Sequence, residues 1–174
     1  MYRKDKCGWT CALLVGAVTL GGCTSLLHGK QYQFPQPGEP AATVRLEYDR
    51  NANLDAMTFN DSGCYAGSTA LPHVGGVIEA PVAAGNELVL TYRQQAVDGV
   101  CQIPFSFTPQ EGATYTLKSG SWSKPKAGIL PIFNSDEHYC GLGVVKKIGT
   151  QVSIEPVQQL RIKTGFGCLR FVKK

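Results

Sequence analysis

ELVLTYR, residues 87–93, is the stretch on which the fold turns. Leu88, Leu90 and Tyr92 fall on one side of an extended chain, and Val89, Thr91 and Arg93 on the other. That is the two-residue period of a strand with one buried face. Turn residues bracket it, Ala83-Ala84-Gly85-Asn86 before and Gln94 to Gly99 after. Val100 to Thr108 resumes the alternation, with Cys101, Ile103, Phe105 and Phe107 together. Proline cannot donate to a ladder, so Pro104 predicts an edge or a bulge. Pro109-Gln110-Glu111-Gly112 is the next turn, and Thr114 to Leu117 is expected to close the hairpin. The three strands read as an antiparallel meander.

Working outward, the same period recurs. Ala42 to Tyr48 places Val44, Leu46 and Tyr48 opposite Arg45 and Glu47. Leu54 to Phe59 is a second short strand, Cys64 to Gly67 a strand end, and Val77 to Ala80 a strand expected to stop at Pro81. On the far side, residues 119–138 (SGSWSKPKAGILPIFNSDEH) read as the longest irregular stretch, broken by Gly120, Pro125, Gly128 and Pro131. Loops this long are uncommon in compact domains and are often functional. Tyr139 to Lys147 follows as a strand with Cys140, Leu142 and Val144 on one face. Gln151 to Val157 is a short strand, Gln158 to Lys163 could hold a turn of helix, and Cys168 to Val172 alternates again. Short strands between turn signals predict an all-β fold: an antiparallel sandwich, or a partly open barrel, over residues 41–174.

The N-terminus has a different character. Arg3, Lys4 and Lys6 precede an apolar run from Trp9 to Leu20, which ends in Leu20-Gly21-Gly22-Cys23. A basic start, a short apolar segment and small residues at a cut point make a signal peptide. A span of residues 9–20 would be roughly 18 Å as a helix, short of the ~30 Å of a bilayer core. The L-G-G-C ending resembles a bacterial lipoprotein signal. The resemblance implies cleavage of residues 1–22, acylation of Cys23, and a partner in membrane lipid. Thr24, where Asp resembles an inner-membrane retention signal, implies the periplasmic face of the outer membrane. Residues 23–40, with three prolines and two glycines from Thr24 onward, read as a tether, on which Leu26, Leu27, Tyr32 and Phe34 could dock back on the domain. The block LVLTYR…FSFTPQEGATYTL, within residues 77–118, resembles segments of small periplasmic lipoproteins with sandwich-like domains, which supports the fold rather than an activity.

Removing residues 1–22 leaves 152 of the 174 residues, with 14 of the 17 basic and 12 of the 13 acidic side chains. A single domain of this length can bury its own core. Local basic concentrations are limited to Lys146-Lys147, Lys124 with Lys126, and Lys173-Lys174, so no nucleic-acid surface is expected. Cys7 and Cys11 fall within the signal. Cys64, Cys101, Cys140 and Cys168 remain, an even number in an exported chain, and two disulfides are expected. Three pairings are open. Cys64 with Cys101 and Cys140 with Cys168 is the favoured one, because both would tie near-neighbour strands. A four-thiolate zinc site fails for want of close C-x₂₋₄-C pairs.

Catalytic signatures are sparse. His28 lies in the tether and His73 in a Gly-rich turn, and Asp136-Glu137-His138 reads as a solvated loop. No G-x-S-x-G or H-E-x-x-H string occurs, and disulfide-bonded cysteines offer no thiolate. No cofactor and no metal is expected. The expected function is non-enzymatic: a binding or accessory module for an envelope protein, with Trp122, Ile129 and Phe133 as candidate anchors on a stretch that either packs over the sandwich or presents a contact surface. An inhibitor of a periplasmic cell-wall lytic enzyme is one alternative. A glycan or peptidoglycan hydrolase using a carboxylate pair such as Asp98 and Glu111 is another.

Overall fold

A computed structural model describes residues 29–47, 51–96, 99–126 and 135–174, with the backbone alone at 96, 125, 126 and 135–138. The expected signal segment, Cys23, His28, Tyr48, Asp98, Ile129 and Phe133 lie outside the described residues. Among the described residues twelve strands run in order: β1 Ala41–Glu47, β2 Ala52–Phe59, β3 Tyr65–Ala70, β4 His73–Val74, β5 Val77–Ala83, β6 Leu88–Ala96, β7 Gly99–Phe107, β8 Thr114–Lys126, β9 Ser135–Ile148, β10 Gln151–Ile154, β11 Gln158–Gly165 and β12 Cys168–Lys173. They form two six-stranded sheets, ordered β10-β9-β8-β1-β5-β4 and β12-β11-β7-β6-β2-β3. The protein is an all-β, antiparallel-sheet domain with two disulfides and no closed barrel. One neighbour pair, β1 with β8, is parallel.

The period-two pattern builds the core. Ala42, Val44 and Leu46 of β1 and Ile78, Ala80 and Val82 of β5 are buried from the first sheet, joined by Tyr115 and Leu117 of β8 and Val144 of β9. Leu54 and Ala56 of β2, Leu88, Leu90 and Tyr92 of β6, and Ile103, Phe105 and Phe107 of β7 meet them from the second. Phe107 and Tyr115 bridge the sheets with ring centroids 4.7 Å apart. Each of the larger aliphatic and Phe side chains contributes roughly 1.5–3 kcal/mol on leaving water. The two buried tyrosines keep their hydroxyls satisfied: Tyr92 donates to Gln94 Oε1, and the Gln110 N–H donates to Tyr115.

Two prolines sit in strands, and each is placed where its missing N–H is harmless. β5 runs through Pro81 rather than stopping at it. Pro81 stands opposite Thr43, whose N–H points away to Ala113 O on the β8 side, so this pair exchanges no ladder bond. Pro81 N therefore faces the side that β4 covers only at Val77 and Ile78. In β7, β11 pairs only with Ser106 and Phe105. Leu160 would next meet Pro104, which has no N–H to give, and β11 leaves the ladder there.

The expected meander does not form. β6 and β7 are a hairpin, but β8 belongs to the other sheet. Residues 108–113 carry the chain across the end of the sandwich, held by Gly85 N–H on Pro109 O and Gly112 N–H on Ala41 O. The free side of β7 is taken by β11, so β8 inserts between β1 and β9. Residues 158–163, read as possible helix, are instead strand β11.

From Gly29 onward the expected tether is part of the domain. Lys30 N–H donates to Ala66 O, Tyr32 N–H to Thr69 Oγ1, and Ala83 N–H to the Tyr32 hydroxyl. Tyr32 and Phe34 pack against the core, closing the gap between β3 and β5.

The disulfides join Cys64 to Cys168 and Cys101 to Cys140, which corrects the favoured pairing. Neither bond ties near neighbours in sequence order. Cys101–Cys140 clamps one sheet to the other, β7 to β9. Cys64–Cys168 joins opposite edges of the second sheet. It can do so because the β11–β12 hairpin, freed at Pro104, crosses that sheet's outer face from β7 to β3. Phe171 of β12 meets Phe59 edge-on at 5.7 Å and lies 6.0 Å from Tyr65. The crossing explains why Thr91 and Ser106, which point away from the main core, are fully buried, and why Met57 and Leu160 are nearly so.

Candidate functional site

The irregular stretch expected at residues 119–138 is, where described, a two-stranded ribbon. β8 and β9 pair without interruption from Thr114↔Lys147 to Lys126↔Ser135. Its root lies in the sandwich, where Tyr115, Leu117 and Val144 are buried. From Lys118 to Lys124 every side chain of β8 is exposed. β1 accompanies β8 only as far as Leu117, so the ribbon then runs free of the sheet. Gly120 and Pro125 do not break it because β8 has no second neighbour there to need their donors.

Alternation divides this free length into two faces. Lys118, Gly120, Trp122 and Lys124 of β8 share one with Gly143, Gly141 and Tyr139 of β9. Trp122 and Tyr139 are direct cross-strand partners, stacked at 5.9 Å between centroids and 11° between planes. Such a pair contributes roughly 0.2–1 kcal/mol to the ribbon. Their exposures of 50% and 40% leave one broad aromatic surface open to a partner. The indole lies over Gly141, where an added Cβ would stand 3.1 Å from the ring. At Gly120 and Gly143 an added Cβ would meet nothing within 4 Å, so the ground beside the aromatics is flat and unobstructed.

Cations frame the surface. Lys124 Nζ lies 5.7 Å from the centre of the Tyr139 ring, within cation–π range. Lys118 is hydrogen-bonded to Glu47 of β1 and holds that carboxyl below its ordinary value. At the root, Lys146 sits 3.0 Å from Glu155, and the hydrogen bond raises the lysine above its ordinary value. Flatness suits the face to a macromolecule. Elsewhere a groove of about 220 Å³, lined by Thr43, Val74, Val77 and Glu79 among others, falls below the ~300–1,000 Å³ of small-molecule sites.

Of the three expected anchors, Trp122 is on this face, and Ile129 and Phe133 lie outside the described residues. Tyr139, Lys124 and Gly141 were not foreseen. Their signal is the ladder itself, which sets Tyr139 opposite Trp122 once residues 119–138 are paired as a ribbon. His73 is exposed on β4, Glu111 is exposed in the 109–112 turn, and Asp98 is outside the described residues. Among the described residues no group of three His, Cys, Asp or Glu gathers to hold a metal. No family model, curated protein or solved structure matches the chain.

Proposed function

We propose that the protein is an envelope lipoprotein, acylated at Cys23 and held on the periplasmic face of the outer membrane, that binds another envelope protein through the Trp122–Tyr139 face. The observation carrying the binding role is the exposure of two stacked aromatics on a ribbon that extends beyond the core. Half-exposed Trp and Tyr do little for folding there. At interfaces the same residue types are favoured as anchors, since they supply large rigid area. The glycines beside them let a partner approach closely.

The test is cross-linking in intact cells followed by recovery of the protein, in parallel with Trp122→Ala/Tyr139→Ala. A defined partner recovered at least about tenfold less from the variant is expected for a hot-spot pair. Both disulfides and the strand spectrum must be unchanged in that variant. Equal recovery from the two proteins would remove the ribbon face as the contact.

A further inference from the structure

The β11–β12 hairpin ends in Gly165-Phe166-Gly167, and Phe166 is completely exposed, at 110% of its reference area. A lone exposed phenylalanine needs no explanation in general. This one has three features that set it apart. It stands at the extreme tip of a hairpin, fixed two residues away by the Cys64–Cys168 bond. Its own hairpin is of one sign: from Pro156 to Lys174 there are Arg161, Lys163, Arg170, Lys173 and Lys174, and no acidic residue, while Asp61 adjoins the Ser62 carbonyl that Arg170 meets. Lys163 and Arg170 are direct cross-strand partners, an arrangement that is unfavourable unless an anion relieves it. Arg170 meets the Ser62 carbonyl and Cys168 Sγ, and no carboxylate pairs with any of the five among the described residues.

The third feature is position. Arg161, Lys163 and Arg170 share the hairpin face opposite to Leu160 and Phe171; Cys168, bonded to Cys64, lies on this face too, and all three cations are exposed. The chain enters the domain at the same edge. Gly29 bridges to Gly67, and Lys30 N–H donates to Ala66 O, both on β3 just after Cys64. Cys23 is six residues before Gly29, a reach of at most ~20 Å. On the lipoprotein reading, a lipid on Cys23 and the tip at Phe166 are therefore tethered to the same edge of the domain.

We propose that the hairpin tip is a second membrane contact, seating Phe166 among the headgroups of an anionic phospholipid surface while Arg161 and Lys163 meet its phosphates. The orientation toward the membrane rests on the lipoprotein reading; the tip and its charges do not. One acyl anchor leaves a domain free to tumble, and a basic surface with an apolar wedge would fix its attitude. The Trp122–Tyr139 face would then be presented at a defined angle to the bilayer.

The test uses the full chain, made in a bacterial host, purified in detergent and reconstituted into vesicles of acyl-brominated phosphatidylcholine, with or without phosphatidylglycerol. Trp122→Phe/Phe166→Trp is read against Trp122→Phe, so the difference reports the indole introduced at the tip alone. Quenching of that indole by about twofold or more with phosphatidylglycerol, and little without it, is expected. Adding Arg161→Gln/Lys163→Gln should bring the first value down to the second. A tip indole left unquenched in both vesicles overturns the proposal, as does equal quenching in both. Shielding from water only on addition of soluble envelope proteins would make the tip a protein contact and overturn it as well. The mass of the N-terminal peptide reports separately whether Cys23 carries lipid. Unmodified Cys23 with quenching would remove the anchor and keep the contact; lipidated Cys23 without quenching would do the reverse.

Discussion

The β8–β9 ribbon and the β11–β12 hairpin look like variations on one device. Both leave the sandwich, both are reached by a disulfide, and both expose aromatic side chains among cations. They are held in different ways. The ribbon is a continuation of the first sheet, and thirteen ladder pairs carry it from the buried root to Lys126. The hairpin touches its sheet through two ladder pairs and then depends on Cys64–Cys168 and on Phe171 against Phe59 and Tyr65. One surface is positioned by backbone pairing and the other by a staple. A ladder gives a flat face, whereas a stapled hairpin gives a point.

Removing each disulfide should separate the two cases. In the chain-entropy model, bonds spanning 104 and 39 residues stabilise by about 5 and about 4 kcal/mol, which is a small difference. The structural consequence should differ far more. Cys64→Ser/Cys168→Ser is expected to release residues 160–173 and let water reach Met57, Thr91 and Ser106. Cys101→Ser/Cys140→Ser should leave the ribbon paired. Hydrogen exchange read strand by strand checks this. Equal protection of β11 and β12 in both double variants would mean that the staple does not position the hairpin.

The next effect is smaller and runs in opposite directions for stability and binding. Phe171→Ala removes a half-buried ring that closes the outer face and should cost about 2 kcal/mol, below the ~3–5 of a fully buried aromatic. Trp122→Ala removes a ring of similar size from the free ribbon and should cost less than about 1 kcal/mol. Urea unfolding distinguishes them, and a Trp122 cost as large as that of Phe171 would make the ribbon face packing. Gly141→Val sharpens the point without deleting the indole. Its side chain would displace the ring, so the near-ultraviolet signal of the Trp122–Tyr139 stack and partner recovery should fall together. Gly120→Ala meets no atom and should leave both unchanged.

Much of the sandwich was legible because it follows from alternation against one buried face. Leu88, Leu90 and Tyr92, or Val44 and Leu46, declare their side wherever the strand ends up. Pairing partners were not legible in the same way. Thr114 to Leu117 carries the same signal whether it joins β7 or crosses to β1, and the choice was made by chain crossing at Pro109 to Gly112. The ribbon was misread for a physical reason: from Lys118 to Lys124 every β8 side chain is exposed, so no alternation marks that strand, and Gly120 and Pro125 look like breaks, whereas on β9 Cys140 and Leu142 still pack against the core. The cysteine pairing failed on the same ground. Proximity in sequence stood in for proximity in space, and the hairpin that carries Cys168 back to Cys64 depends on Pro104, whose consequence for a strand some fifty residues later has no local signature. The basic hairpin was likewise invisible as a cluster, since Arg161, Lys163 and Arg170 gather only when β11 folds on β12.

The smallest expected effect concerns the two ion pairs that tie the ribbon down, and it separates its root from its free length by pH. Glu47, on β1, has its carboxyl lowered from an ordinary 4.5, first by the hydrogen bond from Lys118 and then by that lysine's charge. Its contribution is present above the unfolded value and is lost as pH falls through the lower folded one. Lys146, at the root, is raised from an ordinary 10.5 chiefly by its hydrogen bond to Glu155. Its contribution is complete below the unfolded value and is lost as pH rises through the folded one. The Lys118–Glu47 pair is screened by water, so its effect on the melting temperature should be slight, and that of the more sheltered Lys146–Glu155 pair somewhat larger. Glu47→Gln is expected to flatten the acid limb of a melting-temperature profile and leave the alkaline limb alone. Glu155→Gln should do the converse. If either substitution moved both limbs equally, the change would be in packing rather than in the ion pair, and the two pairs would not hold the ribbon independently.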